Sequence, residues 1–338
     1  MPSKKRARQS GKESRLAPKR RLSSGPTDSG GQASTARSGA IENRTIQGIG
    51  LMLLGIGALT LNDAFMKSAV EQHPLGPSLF LRSCFSAAFL ILFLAVLRRV
   101  AELRWSSLKN QVISGIYMVL STAMFVYALR GLPLSTATVI IYVSPLVVTA
   151  LAPLMLQEHV GWRRYAAVAV GFAGVVIVIR PGFTEFRPEL VAALGGAIVI
   201  ALRDILTRKM ISQETSYSII LFSALFCCLA YAPWSYLLWD TDVRIPWMLL
   251  GFSALSFTLA QFLIAEAFRR ANASVASPFK YSGVIYAGII GFLLWGEVPD
   301  QYILIGASMI VGSGVFIVLR ERRIARSIRQ NRAPPPSP

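Results

Sequence analysis

Charged residues are scarce. They make up 15% of the 338 residues, where a soluble domain carries about a quarter. Acids are scarcer still, with 17 Asp+Glu against 35 Lys+Arg and a formal net charge of +18. Hydrophobic residues reach 53% and the mean hydropathy is +0.51. That balance excludes an ordinary water-soluble enzyme and points to a bilayer as solvent. Only three cysteines occur, Cys84, Cys227 and Cys228, all inside apolar runs. They exclude a disulfide framework and read as small packing residues. The two histidines, His73 and His159, stand apart and form no H-E-x-x-H, so no metal is expected. A phosphate-cradling glycine loop followed by Lys-Ser/Thr is missing, which leaves direct ATP drive unsupported. So is a Gly-x-Ser-x-Gly nucleophile elbow. No cofactor is expected.

What is present begins with two basic tails. Residues 1–44 carry eleven Lys/Arg and three acids, and residues 320–338 carry six Arg and one Glu. The first tail, 1–45, is rich in Ser, Gly, Lys and Arg and cannot bury enough apolar surface to fold alone. It lacks the apolar core of a secretory signal. Lys4–Arg6 and Lys19–Arg21 have the look of nucleic-acid or import clusters. A tail lying near anionic lipid headgroups explains them better, and no nucleic-acid partner is expected. The last tail, 321–338, is basic and ends in a proline run.

Between the tails, apolar stretches of about 20 residues, the length that crosses ~30 Å of hydrocarbon, recur ten times. They lie near 46–70, 78–97, 111–130, 134–156, 165–180, 190–209, 216–239, 246–268, 275–295 and 301–320. With the N-terminus inside, inner loops hold ten Lys/Arg (Arg98, Arg99, Arg104, Lys109, Arg163, Arg164, Arg208, Lys209, Arg269 and Arg270). Outer loops hold four, Arg130, Arg180, Arg187 and Arg244. The positive-inside rule therefore predicts that both termini are cytoplasmic.

The chain also repeats itself. An offset of 139 pairs Arg130 with Arg269, Ser135 with Ser274, Tyr142 with Tyr281 and Glu158 with Glu297. An offset of 141 pairs Gly55 with Gly196, Asp63 with Asp204, Lys67 with Arg208 and Gln72 with Gln213. Five spans per half is an odd number, so the halves, 46–182 and 183–320, enter the membrane in opposite directions. The expected fold is an all-α membrane protein of ten transmembrane helices as two inverted five-helix repeats, an architecture in which solute sites lie where the repeats meet.

Two stretches carry a family likeness, TATVIIYVSPLVVTALAPLMLQEHVGWRRYAAVAVGFAGVVIVIRPG and ASPFKYSGVIYAGIIGFLLWGEVPDQYILIGASMIVGSGVF. Each has a small-residue helix, a terminal Glu and a Gly-rich last helix. Together they resemble the EamA-type carriers of the drug/metabolite transporter superfamily. Asn62-Asp63 with Lys67, Phe80-Leu-Arg82 and FRPELVAALGGAIVIALRDILTRK resemble the branch that contains S-adenosylmethionine uptake carriers, and riboflavin carriers are similar in type. The resemblance covers about residues 46–320 and implies a secondary transporter of a small metabolite in a cytoplasmic membrane. It departs from internal symmetry at Pro145, whose counterpart is Val284; Pro278 comes earlier in its span. The halves therefore need not bend alike.

Charge inside a bilayer costs at least ~2.5–3.5 kcal/mol and marks function by default. Asp63 and Lys67 are spaced i,i+4, as are Asp204 and Arg208, which fits either a polar cavity lining or structural ion pairs. Lys67 and Arg208 also have the length to snorkel. Arg82 and Lys280 have no evident partner within their own helices and read as cavity residues. Tyr142 and Tyr281 would stack on a flat heterocycle or anchor at an interface. Asn62 and Gln261 add hydrogen-bonding capacity, or join helices. Glu158 and Glu297, at helix ends, read as structural or gating residues. Pro145, Pro153 and Pro278 permit kinks that open backbone to a cavity. Ala167-x3-Gly171 and Gly174 in span five, with Gly306, Ser308-x3-Gly312 and Gly314 in span ten, allow close approach. These two spans are expected to act as scaffold or as a homodimer contact. The alternatives are an exporter of amino acids or a metallophore, and an intramembrane enzyme that uses Asp63 and Asp204 as a carboxylate pair.

Overall fold

The structure is a computed structural model and describes residues 29–103, 107–155, 161–180, 187–210, 215–239, 245–271 and 273–332. Every regular element among them is helical. The helices are α1 (Ser29–Val70), α2 (Leu75–Val96), α3 (Leu108–Gly131), α4 (Leu134–Ile141), α5 (Ser144–Met155) and α6 (Trp162–Ile179). They continue as α7 (Pro188–Met210), α8 (Ser216–Leu237), α9 (Trp247–Arg270), α10 (Ala273–Ala276), α11 (Ser282–Trp295) and α12 (Gln301–Arg332). Ten stretches among the described residues are long and apolar enough to cross a bilayer, from Arg44–Val70 to Gln301–Arg320, and each coincides with a predicted span. Spans four and nine are each assembled from more than one helix.

The chain divides into Met1–Glu42 and Asn43–Pro338. In the first unit the described part, from Ser29, is helical, inside a segment expected to lack structure. Ala33, Ala36 and Ala40, with Gln32, Arg37 and Glu42, are good helix formers. Helix α12 likewise continues past Arg320 to Arg332, just before Pro334–Pro336, which cannot extend it.

Spans four and nine break at equivalent positions. Span four is interrupted at Tyr142–Val143 because Pro145 has no N–H and its ring would strike the Ile141 carbonyl one turn back. Span nine has no proline there, yet it changes from a 3-10 turn over Ser277–Tyr281 to α11 at Ser282. Pro278, in the first turn of the 3-10 segment, tightens the preceding backbone instead. Different residues thus place the same discontinuity in both halves. The Tyr142 hydroxyl joins the two breaks by donating to the Lys280 carbonyl at 2.7 Å.

Small residues set the close contacts. Ala193, Ala197 and Ala201 are fully buried in the core, and Gly195 and Gly196 let α7 lie close against Met124 of α3. Between α6 and α12, a Cβ on Gly174 would meet the Gly306 carbonyl oxygen at 2.8 Å, and one on Gly306 would meet that of Gly174 at 2.6 Å. The glycines of spans five and ten therefore face each other within one chain. Gly312 has no neighbour within 4 Å of a Cβ and Ser308 is exposed, so that part of the predicted contact face points outward.

Candidate functional site

Crossing spans alternate in direction, so the bundle has two ends. One, here the basic end, carries Arg98, Arg99, Lys109, Arg163, Arg164, Arg269 and Arg270; the other carries Arg130, Arg180 and Arg187. A cavity of about 190 Å³ lies in the half nearer the basic end. Its walls are the middle of α2 (Arg82, Ser83, Ser86), the start of α3 (Ser114, Met118, Thr122) and the end of α7 (Arg203, Asp204, Thr207). The start of α8 (Ile219, Ser223, Cys227) and the C-terminal half of α9 (Phe257, Gln261, Phe268) complete them. One side is rich in hydroxyls and the other in aromatic and aliphatic carbon.

Arg82 is the cavity's buried charge, 6% exposed. Its Nε donates to Asn62 Oδ1 at 3.2 Å, and its guanidinium lies over the Phe257 ring, 4.5 Å from the centroid. Asn62 is a hub. Its Oδ1 also accepts from Ser253 Oγ at 2.8 Å, and its Nδ2 donates to Asp63 Oδ1 at 2.8 Å. Three helices, α1, α2 and α9, therefore fix one guanidinium.

The opposite end carries an ion-paired knot. Lys67 reaches from α1 to Glu297 beyond α11 and forms an ion pair. Its Nζ also donates to the Leu132 carbonyl at 3.0 Å, stands 3.9 Å from Glu71 and lies 4.9 Å from the Trp295 ring. Glu297 accepts from the Leu134 N–H at 2.8 Å. This knot ties span one, the turn between spans three and four, and the end of span nine. At the basic end, Glu266 collects Arg99 and Arg269, each at 3.0 Å, and the Tyr217 hydroxyl at 3.4 Å, which joins the turn after α2 to α8 and α9.

Of the ten residues singled out from sequence, Arg82, Asp204 and Gln261 line the cavity. Asn62 and Asp63 stand directly behind Arg82. The Asp63–Lys67 ion pair, one of the two readings of that spacing, does not form, because Lys67 turns to Glu297 and Asp63 to Asn62. Asp204 lies 3.7 Å from Arg203 Nη2; the Arg208 side chain and Glu158 lie outside the described residues. Lys280 is not in the wall but sits 5.3 Å from the Phe268 ring. The Tyr142 and Tyr281 rings pack at a tilt of 44°, with centroids 5.3 Å apart, at the paired helix breaks. Of the two aspartates, Asp204 lines the cavity and Asp63 does not.

Sequence reading missed Ser86, Ser114, Ser253 and Phe257. Hydroxyls at 83 and 86, on the face of α2 that carries Arg82, were a usable signal. The others needed tertiary structure, since a single Ser or Phe in an apolar helix carries no periodic mark.

The model of the EamA-like transporter family matches residues 45–180 and again residues 187–319. Among curated relatives, the S-adenosylmethionine uptake transporter of Rickettsia bellii (strain RML369-C) is 28% identical over 276 residues, covering 82% of this chain and 94% of its own. The riboflavin transporter of Vibrio cholerae is 28% identical over 217 residues, covering 62% and 72%. The pseudopaline exporter of Pseudomonas aeruginosa (strain UCBPP-PA14) is 23% identical over 267 residues, covering 78% and 93%. Ten apolar spans, an internal cavity with a buried arginine and two successive matches lead to one conclusion: the chain belongs to the EamA-like transporter family.

Proposed function

We propose that this protein is a secondary carrier that moves a small amphipathic metabolite, of S-adenosylmethionine-like or riboflavin-like chemistry, across a bacterial cytoplasmic membrane. The observation that carries the reading is an asymmetry: an amphipathic cavity with a buried arginine at the basic end, and an ion pair between Lys67 and Glu297 at the other. A carrier holding its solute between two ends must seal one while the other is accessible, so alternating access is the working cycle. The halves, 46–182 and 183–320, act as inverted repeats that rock about the cavity, and both termini face the cytoplasm by the positive-inside rule. The partners are the metabolite and the surrounding lipid. A homodimer through the outward faces of spans five and ten, where Gly312 is open, belongs to the same proposal.

A second reading is favoured by cavity size. At about 190 Å³ it is smaller than the ~300–1,000 Å³ of sites enclosing drug-sized ligands. An amino acid fits whole, which suits an exporter, and the pseudopaline exporter is among the relatives. Labelled S-adenosylmethionine and riboflavin uptake into vesicles of known orientation, with and without an imposed pH gradient, separates the two. Uptake of either compound supports the first reading. Failure of both, with cells gaining resistance to an amino acid, supports export. External labelling of a cysteine placed at Arg98 or Lys109 would refute the topology.

A further inference from the structure

Helical hydroxyls in apolar surroundings usually return their proton to the carbonyl one turn back, which removes the cost of burying them. This chain follows the rule at Thr60, Ser78, Ser83, Thr258 and Ser308, each donating to residue i−4 at 2.7–3.0 Å. Among the described residues seven buried Ser and Thr hydroxyls break it, Ser86, Ser114, Ser135, Thr136, Thr138, Ser235 and Ser282, and of these Ser86 and Ser114 alone line the cavity. Both are buried, at 5% and 0% exposure, both belong to the cavity wall, and neither Oγ has a hydrogen-bond partner. Ser86 stands one turn from Arg82 on the same face of α2.

Arg82 is unsatisfied in a complementary way. Its Nε is engaged by Asn62 and one face by Phe257. No carboxylate lies within ion-pairing distance of its terminal nitrogens among the described residues, since Asp63 is reached only through Asn62. With Asp63 as a neighbour joined through Asn62 rather than as an ion-paired partner, this buried guanidinium is incompletely compensated, which is costly. Its planar fork matches a carboxylate, and the bracing by three helices holds that fork in place before any solute arrives.

We propose that this end of the cavity is a carboxylate pocket. Arg82 grips the solute's carboxylate through its terminal N–H groups, and the Ser86 and Ser114 hydroxyls donate to the same group. Asn62 and Ser253 are positioning residues that hold the guanidinium. The inference rests on the carrier reading and narrows it to amino-acid-bearing solutes. It also resolves the modest volume: the amino-acid end is enclosed, and any larger remainder extends toward the basic end past Asp204 and Phe268.

The test is binding to the purified full chain, read by thermal stabilisation and isothermal titration. It uses pairs that differ only in the carboxylate: S-adenosylmethionine against its decarboxylated form, and methionine against methioninamide, with riboflavin as a carboxylate-free probe. The expected result is about ten- to hundredfold weaker binding of the member without the carboxylate, the range for a hydrogen bond to a charged group. Arg82→Gln should abolish that ratio without weakening the decarboxylated form. Arg82→Lys, which keeps the charge but not the fork, should restore it in part. Ser86→Ala and Ser114→Ala, which leave Arg82 untouched, should each cut the ratio severalfold. Variants count only if their unliganded melting temperature is retained, and the serine variants carry the test if Arg82→Gln fails to fold. Equal binding within every pair, or a ratio that survives both serine variants, overturns the pocket. Riboflavin binding alone also overturns it, while leaving the carrier reading intact. Discrimination without transport of either compound in vesicles supports the pocket and refutes the uptake reading.

Discussion

Lys67 and Glu297 lie 230 residues apart, one from each half, and pair at the end of the bundle away from the cavity. Both are mostly buried, with side chains 5% and 15% exposed. Removing one partner leaves a charge without its counter-ion, which costs about 3–5 kcal/mol. Lys67→Met or Glu297→Leu alone should therefore lower the melting temperature markedly. The double variant should recover much of the loss, because two apolar side chains leave no orphan charge. If the pair also seals that end, a cysteine at Asn62 should react faster with a membrane-impermeant thiol reagent added from the side on which the pair lies in the singles than in a Lys67 and Glu297 background. Unchanged reactivity with lowered stability would make the pair purely structural.

The facing glycines of α6 and α12 permit a graded test of packing. Gly174→Leu drives a side chain onto the Gly306 carbonyl, and overpacking of this kind costs about 1–3 kcal/mol. Gly312→Leu, six residues beyond Gly306 along α12, meets nothing within 4 Å and should leave the monomer's melting temperature unchanged. Loss of a dimer on cross-linking in Gly312→Leu, with the melting temperature retained, would assign the outward face to a second copy. A monomer throughout would remove that proposal.

Asp300 precedes α12 outside the apolar span and caps it, accepting from the Ile303 N–H at 2.8 Å. It also pairs with Arg180, whose left-handed backbone (φ 48°) ends α6. Partial burial pushes the Asp300 carboxyl up, but the Ile303 N–H and the Arg180 guanidinium outweigh it and hold the group below its ordinary range. A depressed carboxyl stabilises fully above its unfolded-state pKa and loses that contribution as pH falls through the folded value. Asp300→Ala should cost about 0.5–2 kcal/mol at neutral pH, the usual value of an N-cap. The gap to wild type should close on acidification below the ordinary carboxylate range. Melts across a pH series check this; a gap that persists in strong acid would assign the loss to packing.

The ten spans were legible from composition and length because a bilayer leaves one solution to a run of about 20 apolar residues: every backbone N–H and C=O must be satisfied within the helix. The same physics made Arg82 and Asp63 conspicuous, since charge in hydrocarbon is costly wherever the helix lies. The repeated offsets placed Tyr142 opposite Tyr281, and both breaks fall there, although proline alone predicted only the first. Partner choice was decided in three dimensions. An i,i+4 spacing made Asp63 look like the natural mate of Lys67, but side-chain reach is set by what the neighbouring helices present. Glu297 and the Leu132 carbonyl stood where the lysine could leave the hydrocarbon, while Asn62 and Arg82 stood beside the aspartate. The orphan hydroxyls of Ser86 and Ser114 were likewise invisible in one dimension. An unmade hydrogen bond is a property of the surroundings, and only the packing of α1, α2 and α9 around one guanidinium, with α3 completing the wall, gives it meaning.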